Sequence, residues 1–204
     1  MPAAARAVAV AVAAALAAPG CGDGGAPAPA RPTAAEDHDR APLRTCRTRN
    51  EGRGPVAGPD GTDVRLGPAY FDGAAQLAAE DGSRFTPRAG RAYMEVKVLL
   101  ALRARTRATL VAPPPERRAF GLLYAKPPPP SAGPFTVRDG GAAVRLHACA
   151  ETAPAFGYRG TVGPWTQFGG GFLLAGPGCH AVELHVAGRR TPYRATLSFG
   201  AGAC

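Results

Sequence analysis

The side chains best suited to chemistry are few. His147, His180, Glu183 and His185 form the densest group of metal-ligating residue types. On a strand His180 and His185 face opposite sides, whereas Glu183 and His185 share the face opposite Val182 and Leu184. The expectation is a solvated strand face, with His147 beside it if the strands are neighbours, and no metal site. Arg103, Arg105 and Arg107 stand at alternate positions, the spacing of a cationic ladder for phosphate-rich envelope polymers or lipid headgroups. The plainer expectation is a turn between two strands whose charges are solvated. Trp165 and Phe168, with Phe156 and Tyr158, surround a glycine-rich stretch and could offer an aromatic platform to a sugar or peptide. Core packing is the stronger expectation, because rings are scarce in this chain. Trp165, Phe168, Arg103, Arg105 and Arg107 make up the candidate ligand surface.

Catalytic signatures are weaker still. The serines are Ser83, Ser131 and Ser198, and none lies in a Gly-x-Ser-x-Gly elbow. Neither Lys97 nor Lys126 follows the glycines of a phosphate loop, and Gly169 to Gly171 lacks the strand-to-helix setting of a dinucleotide site. No catalytic residue, metal or cofactor is assigned. Two carboxylates on loops have no recognisable spacing, so an envelope hydrolase stays open as the alternative to a binding or structural module. An inhibitor or sensor domain for a partner protein is the third reading.

The formal net charge is +9 and the pI about 10.0, which would ordinarily suggest nucleic acid. Lys97 and Lys126 are the only lysines among 24 basic residues, and the arginines are dispersed among acids and glycines. This bias follows GC-rich coding throughout the chain and forms no local patch, so no nucleic-acid partner is expected. The oligomeric state is left open.

These residues must be positioned by strands. With 27 Gly and 22 Pro among 204 residues, long helices are disfavoured. Apolar runs between turn signals suggest about nine short strands: 63–71, 93–102, 107–111, 119–124, 134–137, 143–149, 171–174, 181–186 and 193–199. A helical period appears only around 73–80. The pattern predicts an all-β fold, an immunoglobulin-like or related β-sandwich over residues 46–204. Pro113 to Pro115 and Pro127 to Pro130 should end the strand between them.

A hairpin folded about residue 190 brings Cys179 opposite roughly position 201, at the same sheet end as Cys204. The expected disulfides are therefore Cys179–Cys204 and, by elimination, Cys46–Cys149. No Cys-x-x-Cys pair supports zinc or thioredoxin-type redox chemistry.

Met1 to Arg6 and the apolar run Ala7 to Ala18 read as a secretory signal, too short to span a membrane. The following Ala18-Pro19-Gly20-Cys21 resembles a bacterial lipobox. That resemblance implies a signal peptide over 1–20, lipidation of Cys21 and attachment to the outer face of the cytoplasmic membrane. Cleavage at Ala15-Leu16-Ala17, giving a secreted protein, is the alternative. Residues 21–45 hold one large apolar side chain, Leu43, and read as a disordered linker.

The run Phe168-Gly-Gly-Gly-Phe-Leu-Leu-Ala-Gly-Pro-Gly-Cys179, then Val-Glu-Leu-His-Val and the terminal Ser198-Phe-Gly-Ala-Gly-Ala-Cys204, resembles uncharacterised exported, lipoprotein-like proteins of actinobacteria. The likeness covers residues 62–204 and implies location and fold, with no activity attached. The combined expectation is an exported, lipid-anchored β-sandwich that binds an envelope polymer or protein and performs no catalysis.

Overall fold

Why the chain makes sheets is visible in the burial of its strands. Arg107–Val111 and Gly178–Val186 alternate solvent-facing and buried residues, as half-buried strands do, whereas Gly171–Leu174 is buried throughout. The computed structural model describes residues 38–49, 57–125, 136–155 and 159–204. Within them the fold is all-β and sandwich-like, with three sheets and short 3-10 turns.

In chain order the strands are β1 (Leu43–Arg44), β2 (Val64–Leu66), β3 (Ala69–Phe71), β4 (Met94–Lys97), β5 (Leu100–Arg103), β6 (Arg107–Val111), β7 (Phe120–Leu122), β8 (Ala143–His147), β9 (Trp165–Phe168), β10 (Gly171–Leu174), β11 (Gly178–Val186) and β12 (Tyr193–Phe199). The largest sheet runs β1-β8-β6-β11-β12, a second β2-β3-β5-β9, and a third β4-β10-β7. Pairing is antiparallel except between β1 and β8.

The inward faces meet in one core. Phe71, Phe120, Tyr124, Phe172 and Phe199 pack ring on ring at its centre, flanked by Leu66, Leu100, Leu110, Leu146, Val182 and Leu184. Tyr124 is wholly buried and donates its hydroxyl to the Val98 carbonyl at 2.8 Å, so its polar end carries no unpaired donor.

Several expected strands are redrawn. Residues 63–71 form a hairpin, because Gly67 takes φ 63° and reverses the chain between β2 and β3. The run 93–102 divides into β4 and β5, which belong to different sheets. Of the expected strand 134–137, residues 134 and 135 lie outside the described residues, and Val137 opens the 3-10 turn Val137–Asp139. The helical period at 73–80 becomes the 3-10 turn Ala74–Ala78. β9 was not foreseen, and β1 lies within the stretch read as linker: Leu43 and Arg44 pair with Arg145 and Leu146. Arg44 fastens β1 from the other side, donating to the Tyr124 carbonyl at 2.6 Å and the Gly169 carbonyl at 3.2 Å.

Both expected disulfides are present. Cys46–Cys149 has a Cα separation of 4.8 Å and Cys179–Cys204 one of 6.0 Å. Two such bridges point to an oxidising, extracytoplasmic environment. The β11–β12 register sets Cys179 opposite Ser198. Cys204 still reaches its partner because the tail turns at Gly200 and Gly202, both with positive φ, held by Ser198 Oγ donating to the Gly202 carbonyl at 2.6 Å. Cys21, Phe156, Tyr158, the expected signal peptide and the linker as far as residue 37 lie outside the described residues.

Candidate functional site

The expected ligand surface divides among unlike places. Arg103 ends β5 directly opposite Trp165 on β9, so these two are neighbours. The Trp165 ring stands edge-on to Tyr70 with 5.0 Å between centroids. Phe168 is 0% exposed and belongs to the core, in line with the stronger expectation of core packing, and so leaves the candidate ligand surface. Arg105 sits in the turn with φ 62°, its amide donating to the Cys149 carbonyl at 2.8 Å. Arg107 opens β6 in another sheet, so the three alternate arginines form no ladder.

The histidines divide as strand parity requires. His185 faces outward and shares a 3.1 Å hydrogen bond with Glu183, whose other oxygen accepts from Arg194 at 2.9 Å. His180 faces inward and is 6% exposed. Among the described residues no group of three His, Cys, Asp or Glu side chains is arranged to hold a metal ion.

A cavity lies elsewhere, around β7. It has a volume of about 330 Å³ and is lined by Arg117, Arg118, Phe120, Val137 and Arg138, with the backbone of Gly140 to Ala142. Two 3-10 turns, Glu116–Arg118 and Val137–Asp139, carry the arginines. Glycine permits the approach that brings them together. A Cβ on Gly121 would stand 2.5 Å from the Val137 carbonyl oxygen, and one on Gly140 2.8 Å from the Gly121 Cα. Leu122 and Gly141 exchange backbone hydrogen bonds of 2.9 and 2.7 Å, which fixes the second turn against β7.

The cavity is basic by number: Arg117, Arg118 and Arg138 line it, against the two neighbouring acids Glu116 and Asp139. Glu116 turns inward and accepts from His180 Nδ1 at 2.9 Å. Asp139 turns back to accept from the Thr136 amide at 2.6 Å and its hydroxyl at 3.0 Å. Arg117 donates its Nε to the Ala112 carbonyl at 3.0 Å, which orients its guanidinium. Arg118 and Arg138 are exposed and form no ion pair among the described residues. The floor is apolar. Phe120 lies parallel to His180 on one side, with centroids 4.9 Å apart and planes 12° apart, and stacks on Phe172 at 4.9 Å. Among the described residues His180 Nε2 is buried without a hydrogen-bond partner. Arginines around an apolar floor suit a small anion with an apolar body.

A corner of opposite sign flanks Tyr70. Burial pushes the Tyr70 hydroxyl up to about 12, with Asp63, Asp72 and Asp60 adding to the effect. Burial first, then Asp63 and Asp60, raise the Asp72 carboxyl above its ordinary value.

Sequence reasoning missed Arg117, Arg118 and Arg138. The two turns are brought together only by β7, and no spacing in the chain announces the meeting. No protein-family model matches the sequence, and the curated proteins and solved structures likewise give no match.

Proposed function

We propose that the protein is a non-enzymatic binding module of the cell envelope. In this reading it is exported, held at the outer face of the cytoplasmic membrane by a lipid on Cys21, and takes a small apolar anion in the β7 cavity. The observation that carries the binding role is the set Arg117, Arg118 and Arg138 over Phe120, with Glu116 and Asp139 turned to other partners. Two disulfides support the extracytoplasmic setting, and the lipobox-like segment supports the anchor.

Calorimetric titration of the protein with phenylacetate and hexanoate, against their neutral amides, tests the site. Binding of the acids alone is expected, weakened about tenfold or more when Arg118→Ala and Arg138→Ala are combined. Equal heats for acids and amides, or an unchanged double variant, reject the reading. Cell fractionation with a Cys21→Ala control tests the anchor: membrane retention lost on substitution is expected, and release of both forms into the medium rejects it.

A further inference from the structure

The outer face of the five-stranded sheet carries a second depression, a groove of about 430 Å³ lined by Arg107, Thr109, Arg145, His147 and His185, with His38 and Asp39 at its side. Register dictates its composition. Arg107 on β6 stands directly opposite His147 on β8, Thr109 opposite Arg145, and His185 on β11 opposite Thr109. These side chains share one face, with cross-strand Cβ separations of about 5 Å.

Arg107 stands opposite His147, so protonating that ring sets like charges against each other, which destabilises the pair unless something answers the charge. The carboxylates present do little to answer it. Glu183 is engaged by Arg194 and His185. Asp39 is exposed at the side. Arg107 and Arg145 have no ion pair among the described residues. Arg145 is also oriented: its Nε donates to the Ala41 carbonyl at 2.8 Å, which directs the rest of the guanidinium away from that bond. Partial burial, then Arg107 and Arg145, hold His147 below its ordinary protonation range.

We propose that this groove binds a phosphoryl group, with Arg107 and Arg145 as the charged donors, Thr109 as a hydroxyl donor, and His147 as a group that takes up a proton when the phosphoryl arrives. Arginine favours phosphate because its planar donor fork matches two oxygens. The remaining titratable or charged groups around His147 are His38 and Asp39 from the arriving chain, His185 and Glu183 on β11, and Arg194 on β12. The proposal does not depend on the β7 cavity, whose floor favours an apolar body that inorganic phosphate lacks.

The test follows the His147 ring by proton NMR during pH titration of the protein in phosphate and in chloride at equal ionic strength. Phosphate should raise its midpoint by about half a unit or more over chloride. Arg145→Gln and the exposed-site variant Arg107→Ser should each abolish the difference, whereas the Arg118→Ala/Arg138→Ala protein should retain it. Equal midpoints in the two salts overturn the proposal, as does loss of the effect in the Arg118→Ala/Arg138→Ala protein. A parallel arm measures sedimentation with phosphatidylglycerol vesicles. Vesicle binding that requires Arg107 and Arg145 assigns the phosphoryl to a lipid headgroup. A phosphate effect without vesicle binding assigns it to a soluble phosphate.

Discussion

The β7 cavity and the groove on the outer sheet are both electropositive, and they become so in different ways. At β7 three arginines outnumber two acids, which keep their charge while hydrogen-bonding elsewhere: Glu116 to His180, and Asp139 to the start of its own turn. In the groove the charge comes from register, since β6 and β8 set Arg107 against His147 and leave Arg145 on the same face. The first arrangement depends on buried packing, and the second on the strands alone. Each also has a disulfide nearby in the chain: Cys179 is next to His180, and Cys149 is two residues beyond His147.

The strongest way to break this comparison is to remove the bridges. Cys46 and Cys149 close a loop with a separation of 103 residues, Cys179 and Cys204 one of 25. On the chain-entropy model the first contributes about 4 to 5 kcal/mol and the second about 3 to 4. Denaturant unfolding of Cys46→Ala/Cys149→Ala should therefore show the larger loss, and the groove should suffer before the β7 cavity. The reverse order would mean that the hairpin tail governs stability.

An effect of about 3 to 5 kcal/mol, no larger than loss of the Cys46–Cys149 bridge, is expected from Phe120→Ala, which removes the cavity floor and the His180 stack together. Carboxylate binding at β7 should vanish while the phosphate-dependent shift of His147 persists. Loss of both in a protein that remains folded would show the two sites to be coupled through the core.

The smallest effects are in pH dependence. His147 is held below its ordinary value of 6.5, so the unfolded chain binds more protons below that pH and stability is lost as pH falls through that window. Asp72 is raised above its ordinary 3.8, so the folded chain binds more protons and stability is lost as pH rises above that value. Melting temperatures between pH 3 and 8 should show the first slope flattened in His147→Gln and the second in Asp72→Asn. A variant retaining its wild-type slope would remove that residue from the account.

Legibility in the sequence followed local signals. β6, β10 and β12 match their expected bounds because each is a short apolar or alternating run ended by charged or glycine-containing turns. The Cys179–Cys204 bridge was legible from the hairpin, although the register is displaced because the turn centres beside Gly188, with φ 81°, and not at residue 190. The Gly67-Pro68 turn was present in the sequence yet outweighed by the apolar run around it. The break between Lys97 and Leu100 was not legible: Val98 and Leu99 are apolar like their neighbours, and only the passage to another sheet separates β4 from β5. Both basic sites depend on long-range pairing, Arg118 with Arg138 across β7 and Arg107 with His147 across two strands. Local periodicity does not report such meetings.

The two bridges also decide how the chain bears load. A pull applied between Cys46 and Cys204 crosses to Cys149 through one covalent link and enters Cys204 from Cys179 through the other. Only residues between Cys149 and Cys179 can then pay out, about 100 Å of extended chain, against roughly 550 Å for the whole stretch from Cys46 to Cys204 when both bridges are reduced. β6, β8, β12 and β11 from Cys179 onward lie within the closed loops and stay out of the line of tension. Under force the oxidised domain is a short leash with a hard stop, and reduction turns it into a long one.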